Sequence, residues 1–167
     1  MEANPYQPPS AKLIDESATT EVELADRGQR FGAAILDAIV GLAIGIPLMF
    51  ALGTFDYVRR GQQLPWSLHI AGAMLGYLGF VLLHGYYLKI GGQTIGKKIV
   101  GIRIAELDNS IPTLAKILGL RYLPIQVVAL IPIAGALCTL VDILFIFRDD
   151  RRCIHDLIAG TRVVKVK

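Results

Sequence analysis

The chain has 167 residues, of which 53% are hydrophobic and 19% charged, fewer charges than the quarter or so usual in soluble domains. That length suits one domain. The apolar excess excludes a disordered chain and argues against a soluble enzyme. Two cysteines are too few for a disulfide scaffold, and a net charge of +3 does not imply nucleic acid. The mean hydropathy is +0.52, and the apolar residues fall into three long blocks, which points to a membrane.

Residues 1–26 are polar and turn-rich, with Pro5, Pro8 and Pro9 and acids from Glu2 to Asp26. No basic stretch precedes a short apolar core, so the segment is not a signal peptide. It reads as a flexible polar tail, with Thr19–Arg27 able to begin a surface helix. Residues 27–167 form the transmembrane domain.

The first block, 31–55, carries one charge, Asp37, and the second, 66–88, carries none. About 20 apolar residues cross a bilayer core, so each block spans. Phe55, Tyr57 and Trp66 at one end, and Tyr86 and Tyr87 at the other, fit two aromatic belts. Gly41-xxx-Gly45 and Gly72-xxx-Gly76 match the small-residue packing motif and predict contact between these spans.

The third block, 113–147, is long for one span and short for two. Lys116, Arg121 and Asp142 interrupt it, and Pro132–Gly135 reads as a turn. It is either a single span or a hairpin with arms at about 112–131 and 136–150. The hairpin is favoured on charge. It puts the basic residues of 12–30, 89–103 and 148–167 on one side and leaves Arg59 and Arg60 opposite, as the positive-inside rule prefers. It also lets the β-branched segments 99–105 and 161–167 meet as paired strands. Finally, it brings Asp37, Arg121 and Asp142 to one depth. The expected architecture is an all-α polytopic membrane protein, a small bundle of about four transmembrane or half-spanning helices with a short cytoplasmic β pair.

Ionisable residues inside a membrane are costly and mark function or a helix-to-helix pair. Asp37 and Asp142 are therefore candidates to bind a monovalent cation or a proton, with Arg30 and Arg121 as counter-ions. The competing reading makes the same groups structural ties. Arg30 and Asp37 stand too far apart along one helix for direct contact, so each should find its partner on another element. Gly91–Lys98 satisfies part of a phosphate loop, but Lys98 stands where Ser or Thr should be and no buried strand precedes it. Nucleotide binding is rejected. That glycine-rich turn either holds an anionic lipid headgroup or, preferably, enforces topology with its lysines. His155-Asp156 either shuttles protons or docks the C-terminal segment onto residues 91–98, the latter preferred. The spacing offers no metal-ligand cluster, no cofactor site and no nucleophile set, so no enzyme activity is expected.

Arg30-Phe-Gly-Ala-Ala-Ile-Leu-Asp37, Gly92-Gln-Thr-Ile-Gly-Lys-Lys-Ile-Val-Gly-Ile-Arg103, and Asp142 followed by His155-Asp-Leu-Ile-Ala-Gly-Thr-Arg-Val-Val164 together resemble the RDD family of membrane proteins over roughly residues 27–167. The family is named for one arginine and two aspartates. Arg30 and Asp37 match the first two, and the second aspartate is Asp142 or Asp156. Gln93, Thr94, Lys97, His155 and Asp156 fall in the two cytoplasmic motifs. The resemblance implies a small integral membrane protein, mostly bacterial, for which transport and sodium/proton exchange have been suggested. The expectation is a multi-pass protein of the inner (cytoplasmic) membrane with both termini cytoplasmic, associating with lipid and as a homo-oligomer, without nucleic acid. Its role is ion or proton-coupled transport or, alternatively, that of a non-transporting scaffold or assembly factor.

Overall fold

The computed structural model describes residues 22–166. Two helices are long and apolar enough to cross a membrane, α1 (Arg27–Ala51) and α3 (Trp66–Gly91). At about 1.5 Å per residue each exceeds the ~30 Å hydrocarbon core of a bilayer. The short α2 (Thr54–Arg59) links them. α1 starts four residues before the expected span because Asp26 opens the helix, its backbone N–H donating to Gln29 Oε1 at 3.0 Å.

The third apolar block is a helical hairpin. Its first arm begins as α5 (Leu114–Lys116), where the Thr113 hydroxyl accepts the Lys116 N–H at 3.3 Å. It widens into a π-helical segment, Ile117–Tyr122, and continues as α6 (Leu123–Ala129). The chain reverses and returns as α7 (Ala134–Leu144), ending in a 3₁₀ turn over Phe145–Phe147. Gly135 makes the reversal possible, since a Cβ there would lie 2.5 Å from the Val128 carbonyl oxygen. Each arm is roughly 20–25 Å long by helical rise, shorter than α1 or α3.

Between α3 and the hairpin lie α4 (Ile95–Val100) and β1 (Ile102–Glu106). After the hairpin come α8 (Ile154–Ile158) and β2 (Thr161–Lys165). The strands pair antiparallel, with Ile104 opposite Val163. The segment read as a glycine-rich turn running into a strand at Ile99 is a helix instead. Thr94 caps it and Gly101 ends it in the left-handed region, so Ile99 and Val100 are helical.

The polar tail also needs correction where it is described. Leu24 bridges Val164, the Ala25 N–H donates to the Val163 carbonyl at 3.0 Å, and the Lys165 N–H donates to the Glu23 carbonyl at 2.9 Å. β2 is therefore flanked on both sides, and residues 22–26 are extended rather than helical. The rest of the expected tail and surface helix, residues 1–21, lies outside the described residues.

Burial divides the molecule. Ala25, Ala33, Ile102 and Val163 form one buried cluster, and Leu88, Ile104 and Ile117 form another, backed by Phe80 and Tyr122. Both belong to a cap built from residues 22–26, α4, α8 and the strands on the ends of α1, α3 and the hairpin. The long helices beyond it present Leu42, Met74, Leu82 and Leu137 outward. α1 and α3 do touch, Gly72 being the one glycine of the expected motifs at the contact. Ile44 packs on Gly79 and Leu52 on Gly72, while space is open around Gly41, Gly45 and Gly76.

Candidate functional site

Two polar clusters sit where the cap meets the helices. The first is centred on Asp37, one face of α1 below the cap. Its Oδ1 accepts the Gly96 N–H at 2.8 Å, and its Oδ2 accepts the Thr94 hydroxyl at 2.5 Å. Lys97 Nζ stands 3.9 Å away. From α3, His84 Nδ1 accepts the Ile95 N–H at 3.1 Å, and the Thr94 oxygen accepts the Lys97 N–H at 3.3 Å. The first N–H groups of a helix have no partner within it. Here Asp37, His84 and Thr94 supply them. The close fit requires Gly96, where a Cβ would lie 2.3 Å from the Ala33 carbonyl oxygen and 2.9 Å from Asp37 Cγ. Gln93 donates to the Ile102 carbonyl at 2.8 Å and secures the approach to β1. The N–H groups that a phosphate loop would offer to a nucleotide are thus occupied by the chain's own side chains.

The second cluster is centred on Asp156, in the first turn of α8 and fully buried. Arg30 Nη2 reaches its Oδ2 at 2.6 Å, and Arg121 Nη1 pairs with its Oδ1. Asp156 Oδ2 also accepts the Cys153 N–H at 3.1 Å, capping its own helix. Arg121, only 2% exposed, also donates to Thr161 Oγ1 at 2.7 Å, and its Nη2 lies 3.2 Å from His155 Nε2. Burial alone would push the Asp156 carboxyl up. The Arg121 and Arg30 guanidiniums overrule it and hold the group well below the usual carboxylate range.

Asp142, on α7, accepts the His155 N–H at 2.9 Å and lies 2.7 Å from His155 Nδ1. Asp142, His155 and Arg121 line a cavity of about 280 Å³ between α3 and the hairpin, together with Tyr77, Phe80 and Gln126. Burial, then Arg121, holds the His155 imidazole below its ordinary value, against the pull of Asp142.

Arg30 and Asp37 each find partners on other elements, as expected. The rest of the pairing differs. Arg121 does not meet Asp37 or bond Asp142 directly. Both arginines take Asp156, with His155 standing between Arg121 and Asp142. Arg121 lies in the π-helical segment, which packs against α8, and there its guanidinium meets Asp156 and Thr161. His155-Asp156 do dock the C-terminal segment, but onto the π segment and α7 instead of residues 91–98. Asp156 sits where one carboxylate can serve two arginines, a role that a count of ionisable residues inside apolar blocks overlooks. Its helix-capping position three residues past Cys153 was the available signal.

Folding also gathers a donor set that the spacing hid. Asp142, Cys153 and His155 place one ligand-type atom each within 4.8 Å of one another. The chemistry there favours a hydrogen-bond network over a cation. Burial pushes the Cys153 thiol up to about 11, Arg30 Nη2 lies 3.3 Å from its sulfur, and Arg121 faces the imidazole. Two guanidinium groups already supply the positive charge.

The RDD family profile matches residues 24–160. An uncharacterized protein of Haemophilus influenzae is 31% identical over 147 residues, covering 87% of this chain and 81% of that protein. The uncharacterized protein YckC of Bacillus subtilis is 35% identical over 135 residues, covering 80% of each. No solved structure matches.

Proposed function

Since this chain belongs to the RDD family, a family of membrane-associated proteins, we propose that it is a multi-pass protein of the bacterial cytoplasmic membrane that exchanges a cation for a proton, with the Asp142–His155 pair as the proton site. One observation carries the choice of site. Asp142 and His155 line a cavity together, whereas Asp37 is committed to the start of α4 and Asp156 to two arginines. A group that must gain and lose a proton needs a neighbouring space for its donor, and of these four only the first pair lines that cavity. The charge distribution supports a cytoplasmic cap, since the only basic residues at the opposite ends of α1 and α3 are Arg59 and Arg60. Exchange is tested on purified protein in vesicles with a panel of monovalent cations. Flux that Asp142→Asn abolishes in a folded protein supports the reading, and unchanged flux refutes it. In a Cys138→Ser background, labelling of Ala134→Cys from the face opposite the cap supports two crossings by the hairpin.

A second reading, a non-transporting scaffold or assembly factor, draws on the saturation of the two clusters. Asp37 and Asp156 tie α4 and α8 to α1 and the π segment with every oxygen engaged. It predicts no flux for any cation and a copurifying membrane partner.

A further inference from the structure

The two ring nitrogens of His155 face opposite chemistry. Nδ1 lies 2.7 Å from Asp142 Oδ2, and an ionised carboxylate only accepts, so Nδ1 carries the hydrogen. Nε2 lies 3.2 Å from Arg121 Nη2, and a guanidinium only donates, so Nε2 presents its lone pair. The ring is the neutral Nδ1–H tautomer. The cavity of about 280 Å³ that His155 and Asp142 line has largely apolar walls, Phe80 and Ile125 among them, but Arg121, Gln126 and Tyr77 add polar groups, partners enough to hold water.

We propose that this cavity is water-filled and that His155 is the proton-carrying group of the site, exchanging its proton with cavity water through Nε2. The proposal rests on the proton-linked reading above and names the atom that does the work. On uptake, an O–H bond of a hydronium breaks, the Nε2 lone pair forms an N–H bond, and a water molecule is left behind. Release is the reverse. Protonated Nε2 can no longer accept from Arg121. The nearest alternative is Asp156 Oδ2, 3.7 Å away. Proton loading therefore turns Nε2 from a guanidinium towards the carboxylate that Arg30 and Arg121 share. The groups facing the ring are Asp142 from α7, Asp156 and Cys153 from the start of α8, Arg121 from the π segment and, behind Asp156, Arg30 from α1. Tyr77 faces the cavity from α3. With a neutral ring the two arginines and two aspartates balance, and the proton adds a single positive charge. Burial and Arg121 hold the imidazole below its ordinary value, so uptake belongs to the acid side of neutrality.

The test uses full-length protein in lipid nanodiscs with ¹⁵N-labelled histidine, His155→Gln assigning the His155 signals among those of His69 and His84. The expected spectrum shows the Nδ1–H tautomer at neutral pH and titrates on acidification. Asp142→Asn lowers the midpoint by about 1–3 pH units, the usual effect of losing an adjacent opposite charge. With Cys138→Ser as background, Gln126→Cys reacts with a membrane-impermeant thiol reagent and Val127→Cys, on the outward face, does not. A His155 ring that stays neutral until the protein unfolds, a midpoint that Asp142→Asn leaves in place, or an unreactive Gln126→Cys overturns the proposal. A titrating His155 in protein without cation flux overturns the transport reading alone. Flux with a His155 that does not titrate overturns this proposal alone.

Discussion

Arg30 Nη2 lies 2.6 Å from Asp156 Oδ2, a pair separated by 126 residues of chain. It fastens the first turn of α1 to the first turn of α8. Because Arg121 takes the other oxygen of the same carboxylate, one buried acid holds three elements together.

Asp156→Asn leaves the buried Arg121 and part-buried Arg30 guanidiniums sharing a neutral amide. Removing one partner of a buried ion pair costs about 3–5 kcal/mol, a large share of the stability of a small domain. The substitution should abolish recovery of folded protein or lower its denaturation midpoint sharply. Size-exclusion profiles and denaturant titration in detergent check it. A midpoint unchanged from wild type would show that the two arginines need no common acid.

His155 gives stability a pH dependence of definite sign. Its folded value lies below the unfolded value of about 6.5. Its contribution is therefore present above about pH 6.5 and drains away as pH falls towards the lowered folded value. Asp156, held far lower, keeps its contribution until much more acidic conditions. Thermal midpoints measured from pH 8 downwards should begin to fall near pH 6.5 in wild type, and that early fall should be smaller in His155→Gln.

Gly96→Ala inserts a methyl group between α4 and α1, where the Ala33 carbonyl oxygen would be 2.3 Å away. Backbone cannot yield as a side-chain tip can, so the helices must part, at a cost of about 1–3 kcal/mol. Gly41→Ala, where nothing lies within 4 Å, should stay within about 0.5 kcal/mol of wild type. Equal effects at the two sites in unfolding experiments would contradict the packing described.

Asp37→Asn keeps one acceptor for the Gly96 N–H and loses the Thr94 bond. It should cost about 0.5–2 kcal/mol, as the loss of a helix cap does, while Asp142-dependent flux persists. Vesicle assays alongside stability measurements on the same preparation separate the two effects.

These sites show what sequence could and could not convey. The long helices were legible because apolar runs of that length have few alternatives, and the hairpin because charge, turn residues and strand pairing all pointed the same way. The extended run at Glu23–Ala25 was hidden in a polar stretch, since two apolar residues among acids carry no period. The helix at Ile95–Val100 was masked by its β-branched ends, although Thr94 and Gly101 stood at the cap positions. The pairing of Arg121 was out of reach for a different reason. Helical rise gives the depth of a side chain and not its direction, and no residue pattern announces that the six residues Ile117–Tyr122 wind as a π-helix.

The long sequence separation of the Arg30–Asp156 pair bears on biogenesis. At 5–20 residues per second, translation of the intervening 126 residues takes roughly 6–25 s. Arg30 is added to the chain that long before its carboxylate exists, and Arg121 waits for the same acid. The nascent helices are thus without their lock until the segment carrying Asp156 is made. A polypeptide cut short before Asp156 carries two unmatched guanidiniums, a ready mark for quality-control proteolysis.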